Sequence, residues 1–315
     1  MKPGVEMTEA AEKQNKNRGK MSTEVSPHRK QMGEKMIHEQ KLEAIGRMAV
    51  GTARSLIKPV LKPALINTLN LISRLLPVRS PVPIFAYHSL DESGSFLSFS
   101  PEIFRRQMEF LHSRGYRVYT VSEYTKLLYE GGEMAIPAVV LTFDDGFANF
   151  LTEAAPVLRK YGYRATVYIP TDFIGRQSDF TSLVDLPILS GNEIRKLAEE
   201  GFEIGSHSRS HPNLTRLTPD QARNEIVRSK VVLEDLTGKE VRTFCYPRGD
   251  YNREIIELVK EAGYQAAVSL RPGNRNSIAD THILHRIVIG PRDSIEYFRL
   301  ALGPLFNLYY RLFKI

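Results

Sequence analysis

The sequence predicts an α/β protein whose parallel strands close into a barrel. From about residue 80 onward, apolar β-type runs alternate with amphipathic helical patterns, and that alternation is typical of parallel sheets. Three helical patterns are followed by Gly162, Gly201 and Gly263, where glycine can end a helix in a left-handed conformation. Two apolar runs lead directly into polar residues, and α/β barrels carry their active sites at the carboxyl ends of their strands.

The separate elements are assigned from the spacing of their apolar residues. Residues 139–143 and 201–206 are predicted strands, the first of them β-rich and apolar throughout. The other assigned elements are a helix at 104–113, a strand at 117–120 and helices at 192–200, 218–236 and 253–262. Residues 172–187 have no strong pattern, and we expect a loop there over the rim of the site.

Two carboxylates and two histidines stand at the ends of the two strands. Asp144 and Asp145 follow the first strand, and His207 and His211 follow the second. Histidines four residues apart lie on one face if the segment forms a helical turn. Two histidines and one carboxylate are a known ligand set, which leaves the other carboxylate as a general base. The pattern predicts one divalent metal ion, zinc first and cobalt or nickel next, that activates water.

These residues resemble the motifs of the polysaccharide deacetylases, the NodB-homology or carbohydrate esterase family 4 enzymes. The resemblance rests on residues 142–146, 206–211 and 244–249, and the Tyr-Pro form of the last motif is similar to the poly-N-acetylglucosamine deacetylase subgroup. It extends over about residues 80–295. The family resemblance implies a distorted (β/α) barrel with fewer than eight full units, and the apolar patterns at the two chain ends add helical extensions to it.

The resemblance also implies the roles of the four polar residues. Asp145, His207 and His211 would hold the metal, and Asp144 would take the proton from the bound water. The implied reaction is the hydrolytic removal of N-acetyl groups from an N-acetylated polysaccharide or oligosaccharide of the N-acetylglucosamine type. Two alternatives stay open, namely an amidohydrolase that acts on a non-sugar amide and an inactive carbohydrate-binding scaffold at the membrane.

The third motif and a late predicted strand depart from the common family pattern. Tyr246 and Pro247 would form the substrate-binding turn, with a backbone N–H near Tyr246 facing the oxyanion. Cys245 stands where many members have an arginine that braces the catalytic aspartate. Arg286 is the candidate for that brace and His285 the candidate general acid. Neighbouring residues of a strand point to opposite faces, so both cannot readily reach one site.

The ends of the 315-residue chain differ from the barrel. Residues 1–42 are predicted to be a disordered or loosely helical charged tail, and 43–80 a basic amphipathic arm. The catalytic domain then occupies 81–296, and 297–315 form an amphipathic tail. The arm is expected either to lie in a membrane interface or to pack on the barrel, and the tail to dock on the arm, pair between subunits or contact lipid.

Charge and composition limit the partners. The net charge of +7 comes largely from the arm and the tail, and stacking platforms for bases are absent, so we expect no nucleic-acid partner. An anionic membrane surface is the expected partner beside the glycan. No clear secretory signal or bilayer-spanning run is evident, which predicts a peripheral membrane or cell-envelope location with the cytoplasmic face still open. The oligomeric state is left undetermined.

Overall fold

A central parallel sheet organises the chain. The computed structural model describes residues 63–73, 81–131 and 137–313, so the predicted tail at 1–42 and most of the arm at 43–80 lie outside the described residues. The strands are β1 Ile84–Tyr87, β2 Ser89–Leu90, β3 Ser98–Phe99, β4 Arg117–Tyr119, β5 Ala138–Phe143, β6 Thr166–Ile169, β7 Glu203–Ser206, β8 Thr243–Cys245, β9 Ala266–Pro272 and β10 Leu284–Val288.

The main sheet closes into a barrel. Its strands lie in the order β1-β10-β9-β8-β7-β6-β5-β4, and β1 also pairs with β5. Every pairing in this sheet is parallel, and β4 pairs only with the first half of β5, so the other seven strands form the ring. The distorted parallel barrel predicted from the sequence is confirmed.

Helices connect most of the strands and cover the outside of the ring. They are α1 at 63–73, α2 Pro101–Ser113, α3 Val121–Glu130, α4 Ala155–Lys160, α5 Gly191–Glu199, α6 Pro219–Thr237, α7 Arg253–Glu261, α8 Ile295–Ala301 and α9 Phe306–Phe313. Only a short 3₁₀ turn, Ile278–Asp280, separates β9 from β10. The barrel therefore has fewer than eight full strand–helix units. No helix in the described ranges has the length and apolar character needed to cross a bilayer.

Alternate strand residues point into the barrel and toward the helices. Ile84 and Val140 are buried in the interior, whereas Phe85 and Leu141 pack in the outer layer beneath the helices. Each fully buried apolar side chain of this kind contributes roughly 1.5–3 kcal/mol. Along β5 the inward positions change from apolar to polar toward its carboxyl end, where Thr142 is buried. The interior of the barrel is therefore apolar at one end and able to hold polar chemistry at the other.

The two chain ends that the structure describes pack on each other. Ile66 and Leu69 of α1 are buried in a small apolar cluster with Leu300 of α8 and Tyr309 of α9. Phe298 of α8 also stacks on Phe85 of β1, with 4.6 Å between ring centroids. The described part of the arm thus docks on the C-terminal helices. This arrangement is one of the alternatives stated for the C-terminal tail, namely that it docks on the arm. Contact with lipid or with a second subunit stays a prediction.

One glycine is required by close packing inside the barrel. A Cβ added to Gly205 of β7 would lie 2.4 Å from Cε1 of Tyr168 and 3.0 Å from Oγ1 of Thr243. Tyr168 is fully buried and cannot move aside. We expect Gly205→Ala to lower the free energy of unfolding by about 1–3 kcal/mol, measured by urea denaturation. Gly290→Ala is the control, because its nearest neighbour would lie at an ordinary 3.9 Å, and an equal effect of both changes would contradict this account.

Candidate metal centre

The two adjacent aspartates leave the end of β5 in different directions. Asp144 and Asp145 are 2% and 3% exposed, so both carboxylates are buried. Asp145 has a left-handed backbone with φ 69°, followed by Gly146 with φ 66°. This turn directs Asp144 toward β10 and Asp145 toward the loop after β7. The positive φ favours glycine at position 146, and a Cβ there would also displace Cδ1 of the buried Ile169, which would lie 2.7 Å away.

Arg286 forms a two-pronged ion pair with Asp144 in the barrel interior. Nη1 of Arg286 lies 2.7 Å from Oδ1 of Asp144, and Nη2 lies 2.7 Å from Oδ2. Nε donates to the carbonyl of Ser269 at 2.9 Å, and Nη1 also donates to Oγ1 of Thr142 at 3.0 Å. Burial alone would raise the pKa of Asp144, but the Arg286 guanidinium lowers it well below its ordinary value. Arg286 therefore lies where the sequence analysis puts the brace, and Asp144 is held as a carboxylate.

Cys245 lies beside this ion pair, and its thiol is buried. Its Sγ is 3.4 Å from Oδ2 of Asp144 and 3.2 Å from Nη2 of Arg286. Burial raises the pKa of the Cys245 thiol, so the sulfur is uncharged. A small neutral side chain at this position leaves room for an arginine that arrives from β10 instead.

The structure does not bring His285 to the aspartates. Leu284 and Arg286 both face the barrel interior, so the residue between them faces the outer side of β10. The backbone N–H of His285 donates to Oδ1 of Asn276 at 2.7 Å, and its ring lies beside Gly273. The proposed acid role of His285 therefore has no geometric support, because the strand pleat directs the side chain away from Asp144.

The two histidines of the second motif reach Asp145 from a loop. Nε2 of His207 and Nε2 of His211 each lie 3.4 Å from Oδ1 of Asp145. The predicted helical turn is wrong, since residues 207–213 are not helical, and His211 has a left-handed φ of 56°. Glu225 of α6 shapes this loop by accepting hydrogen bonds from the N–H groups of Arg209, at 3.0 Å, and Ser210, at 2.8 Å.

Backbone strain is concentrated at this end of the barrel. Among the described residues, the non-glycine residues with a positive φ are Asp145, Ser208, His211 and Arg248. All of them belong to the loops that carry or adjoin the aspartate and histidine motifs. Such conformations cost about 1–3 kcal/mol each and persist where the surrounding structure holds functional groups in place. The strain points to this cluster as the candidate functional site.

Neither Tyr246 nor Pro247 offers a free backbone N–H to a substrate. The Tyr246 side chain is fully buried, and its hydroxyl donates to the carbonyl of His282 at 2.8 Å. The N–H of Tyr246 donates to the carbonyl of Val268 at 3.2 Å, so it is used in pairing with β9. Pro247 is buried and has no N–H. The substrate-binding role of Tyr246 and Pro247 therefore cannot rest on the Tyr246 N–H.

His88 is a site residue to which the sequence analysis gave no role. It follows β1, and its Nε2 lies 4.0 Å from Oδ2 of Asp144 with the side chain 11% exposed. The residue stands at the carboxyl end of β1, which pairs with β5. That position was the available signal, because the carboxyl ends of neighbouring parallel strands share one edge of the sheet.

Asp145, His207 and His211 fit one divalent metal ion. Two ligands bound about 2.1 Å from a tetrahedral zinc ion lie about 3.4 Å apart, which matches both Asp145–histidine distances. Nδ1 of His207 contacts the carbonyl of Cys245 at 2.8 Å, which leaves Nε2 free to bind a cation. Burial, followed by the neighbouring His207, lowers the pKa of His211 to about 4, so that imidazole is in the neutral form that metals require.

A second group of potential ligands fits less well. Asp144, His207 and Cys245 also bring ligand atoms within 4.8 Å of one another. Both carboxylate oxygens of Asp144, however, accept hydrogen bonds from Arg286. The group formed by Asp145, His207 and His211 (the Asp145 group) is therefore the better candidate for a metal site, and Asp144 remains beside it as a separate carboxylate.

Comparison with known proteins gives the same family as the motifs. Residues 131–267 match the polysaccharide deacetylase family. The Bacillus subtilis protein YxkH, named only provisionally as a polysaccharide deacetylase, is 31% identical over 210 residues, which cover 67% of this chain and 72% of YxkH. The poly-beta-1,6-N-acetyl-D-glucosamine N-deacetylase of Staphylococcus epidermidis is 28% identical over 225 residues, covering 66% of this chain and 76% of that enzyme.

A solved structure supports the same assignment. The Streptococcus pyogenes deacetylase PplD, in complex with acetate, superposes with a TM-score of 0.63 and 26% sequence identity. The match covers 73% of this chain and all of PplD. The parallel barrel, the motifs at its carboxyl end and these similarities agree. The chain belongs to the polysaccharide deacetylase family.

Proposed function

We propose that the protein is a metal-dependent hydrolase that removes N-acetyl groups from an N-acetylated polysaccharide or oligosaccharide. The observation that carries this proposal is the division of the aspartate pair. Asp145 lies with His207 and His211, whereas Asp144 is held beside them by Arg286. A metal-binding carboxylate next to a separate, ionised carboxylate suits hydrolysis by an activated water.

The substrate class is supported by the relatives. The S. epidermidis relative is named for the deacetylation of poly-beta-1,6-N-acetyl-D-glucosamine, and PplD was solved with acetate, which is the acid product of deacetylation. We therefore propose an N-acetylglucosamine-type glycan as the substrate. Zinc is the proposed metal because its usual ligands include two histidines with one carboxylate, and cobalt or nickel can replace it. A cation held by Asp145, His207 and His211 would supply a polarised water and a Lewis acid.

Asp144 is the proposed general base. Its depressed pKa keeps it in the carboxylate form, which a general base needs, throughout the neutral range. Each carboxylate oxygen has two lone pairs; Arg286 occupies one on each oxygen, and the Cys245 thiol donates to Oδ2 at 3.4 Å. The remaining lone pair of Oδ1 can take the proton of a water that attacks the acetamide carbon. Arg286 fixes the orientation of the carboxylate by two parallel hydrogen bonds and acts as a positioning residue.

His88 is the proposed general acid in place of His285. It is the histidine beside Asp144 that does not belong to the Asp145 group, and its slight exposure leaves one side open to a substrate. An imidazole in this position can donate a proton to the sugar nitrogen as the C–N bond of the acetamide breaks, so that a neutral amine leaves. The products are acetate and a free amine.

A pair of histidine substitutions tests the choice of acid. We expect His88→Gln to lower kcat by about 10²–10⁴-fold, since one proton transfer is removed. His285→Gln is the matched control on the outer face of β10 and should retain nearly the wild-type rate. Acetate release at saturating substrate measures both effects. A large loss in His285→Gln with no loss in His88→Gln would restore the original assignment.

The reaction itself is tested with a panel of substrates. Purified protein is incubated with N-acetylated glucosamine oligomers, peptidoglycan fragments and non-sugar acetamides, and acetate and free amine are measured together. We expect equal amounts of acetate and amine from at least one glycan. Release from the non-sugar amides alone would favour a different amidohydrolase. No release from any compound by metal-loaded protein would favour an inactive carbohydrate-binding protein.

A peripheral membrane or cell-envelope location is also proposed. The supporting feature among the described residues is the outer side of α9, where Leu308 and Leu312 are 48% and 64% exposed. Arg311 is also exposed on this helix, and a cationic side chain beside exposed aliphatic ones suits an anionic lipid interface. Co-sedimentation of the full chain with anionic vesicles, compared with neutral vesicles, measures this association.

A further inference from the structure

The two histidines of the Asp145 group are held in different ways. The ring of His207 is oriented by the contact of its Nδ1 with the carbonyl of Cys245, at 2.8 Å. Nδ1 of His211 is buried and has no hydrogen-bond partner within the described part of the chain. The backbone N–H of His211 does donate to Oγ of Ser208, at 3.1 Å, but that bond does not fix the ring. Something other than a hydrogen bond must therefore orient the second imidazole.

An aromatic side chain packs directly on this ring. The Phe180 ring lies 4.6 Å from the His211 ring, measured between centroids, at an interplanar angle of 39°. The Phe173 ring supports Phe180 from another side, at 4.7 Å and 63°. Within the described chain, no other ring besides that of His207 lies so close to His211. The imidazole is thus packed between its partner histidine and Phe180.

The loop that carries Phe180 is braced on both sides. Ser178 is buried, and its Oγ donates to the carbonyl of Val184 and accepts from the N–H of Leu186, at 3.2 and 3.1 Å. At the base of the loop, the N–H of Thr171 donates to the carbonyl of Ser208 at 3.2 Å. A loop fixed at its tip and tied to the histidine loop at its base can hold an aromatic ring in one position.

We propose that Phe180 is the positioning residue of His211. Packing of the Phe180 ring orients the His211 imidazole, whereas the His207 imidazole is oriented by the contact of its Nδ1 with the carbonyl of Cys245. Loss of the ring would leave the His211 side chain free to rotate, with a backbone already in a left-handed conformation. The metal would then lose a preoriented ligand. This inference rests on the proposed metal site, and it assigns to the loop over the rim a part in building that site.

The test measures metal binding rather than turnover. Zinc dissociation constants are obtained by competition with a chromophoric chelator, and the visible absorption of the cobalt-loaded protein reports ligand geometry. Phe180→Ala should weaken zinc binding by about 10–100-fold, the usual cost of losing a group that orients a metal ligand, and change the cobalt spectrum. Phe180→Tyr keeps the ring and should restore both. Leu183→Ala is the control, since Leu183 is 52% exposed in the same loop tip.

Each outcome has a defined consequence. Wild-type affinity and an unchanged cobalt spectrum in Phe180→Ala would overturn the inference. An equal loss in Leu183→Ala would also overturn it, because the loop tip as a whole and not the ring would then be responsible. His211→Gln separates the inference from the proposed function, since wild-type metal binding in that variant would reject the Asp145 group as the metal site itself.

Discussion

Replacing Asp144 with asparagine is expected to reduce acetate release by at least about 10²–10⁴-fold. Asparagine has nearly the same shape but cannot take a proton from water. The proposed ligands Asp145, His207 and His211 are unchanged, so the metal content should stay at the wild-type level. The variant therefore separates proton transfer from metal binding.

The measurement combines two assays on the same preparation. Acetate release is followed with the best glycan of the panel, and bound metal is determined by elemental analysis. Asp144→Asn leaves the buried Arg286 without a charged partner, which lowers the stability of the variant. Acetate release and metal content are therefore measured well below its unfolding temperature. Asp145→Asn is the comparison, and it should lose metal as well as activity. Wild-type turnover in Asp144→Asn would reject Asp144 as the base.

Replacing Arg286 with methionine is expected to lower the free energy of unfolding by about 3–5 kcal/mol at neutral pH. Arg286 is fully buried, and its removal leaves the Asp144 carboxylate desolvated without a counter-charge. The pKa of Asp144 should then rise, since burial raises it and the guanidinium no longer opposes that effect. The acid limb of the activity profile should move to higher pH.

The sign of the pH dependence follows from the wild-type shift. The folded-state pKa of Asp144 lies below the unfolded value of about 3.9, so the ion pair stabilises the protein fully above that value. This stabilisation is lost as the pH falls through the folded-state pKa. The stability difference between wild type and Arg286→Met should accordingly be largest at neutral pH and shrink in acid.

Urea denaturation at several pH values checks this prediction. Arg271→Met is the matched control. Arg271 is exposed on the neighbouring strand β9, and its guanidinium donates to the hydroxyl of Tyr251 at 3.3 Å instead of pairing with a buried carboxylate. Its effect should stay within the range of ordinary surface substitutions, about ±0.5 kcal/mol. Equal losses in the two variants would show that the Asp144–Arg286 pair contributes little.

The sequence predicted the parts of the fold that depend on local pattern. The ends of the predicted helices at 104–113 and 253–262 differ from those of α2 and α7 by at most three residues. Apolar spacing and the glycine that follows each helix are local signals. The convergence of Asp145, His207 and His211 also follows from local information, since parallel strands bring their carboxyl ends to one edge.

The missed features depend on contacts between distant segments. The loop form of 207–213 is stabilised by Glu225, which lies on the following helix and gives no signal in the histidine motif itself. Arg286 could be named from its strand, but its choice over His285 required the register of β10 in the closed ring. His88 lies beside Asp144 because β1 pairs with β5, and that pairing joins segments distant in the sequence.

The central claim is that the Asp145 group binds the metal on which deacetylation depends. The most direct measurement is acetate release by chelator-treated protein as zinc is added back, in wild type and in His211→Gln, with His282→Gln as a histidine control outside the group. We predict no release without metal, full release near a single equivalent of zinc for wild type and His282→Gln, and strongly impaired recovery in His211→Gln. Wild-type release by the metal-free protein would contradict the account.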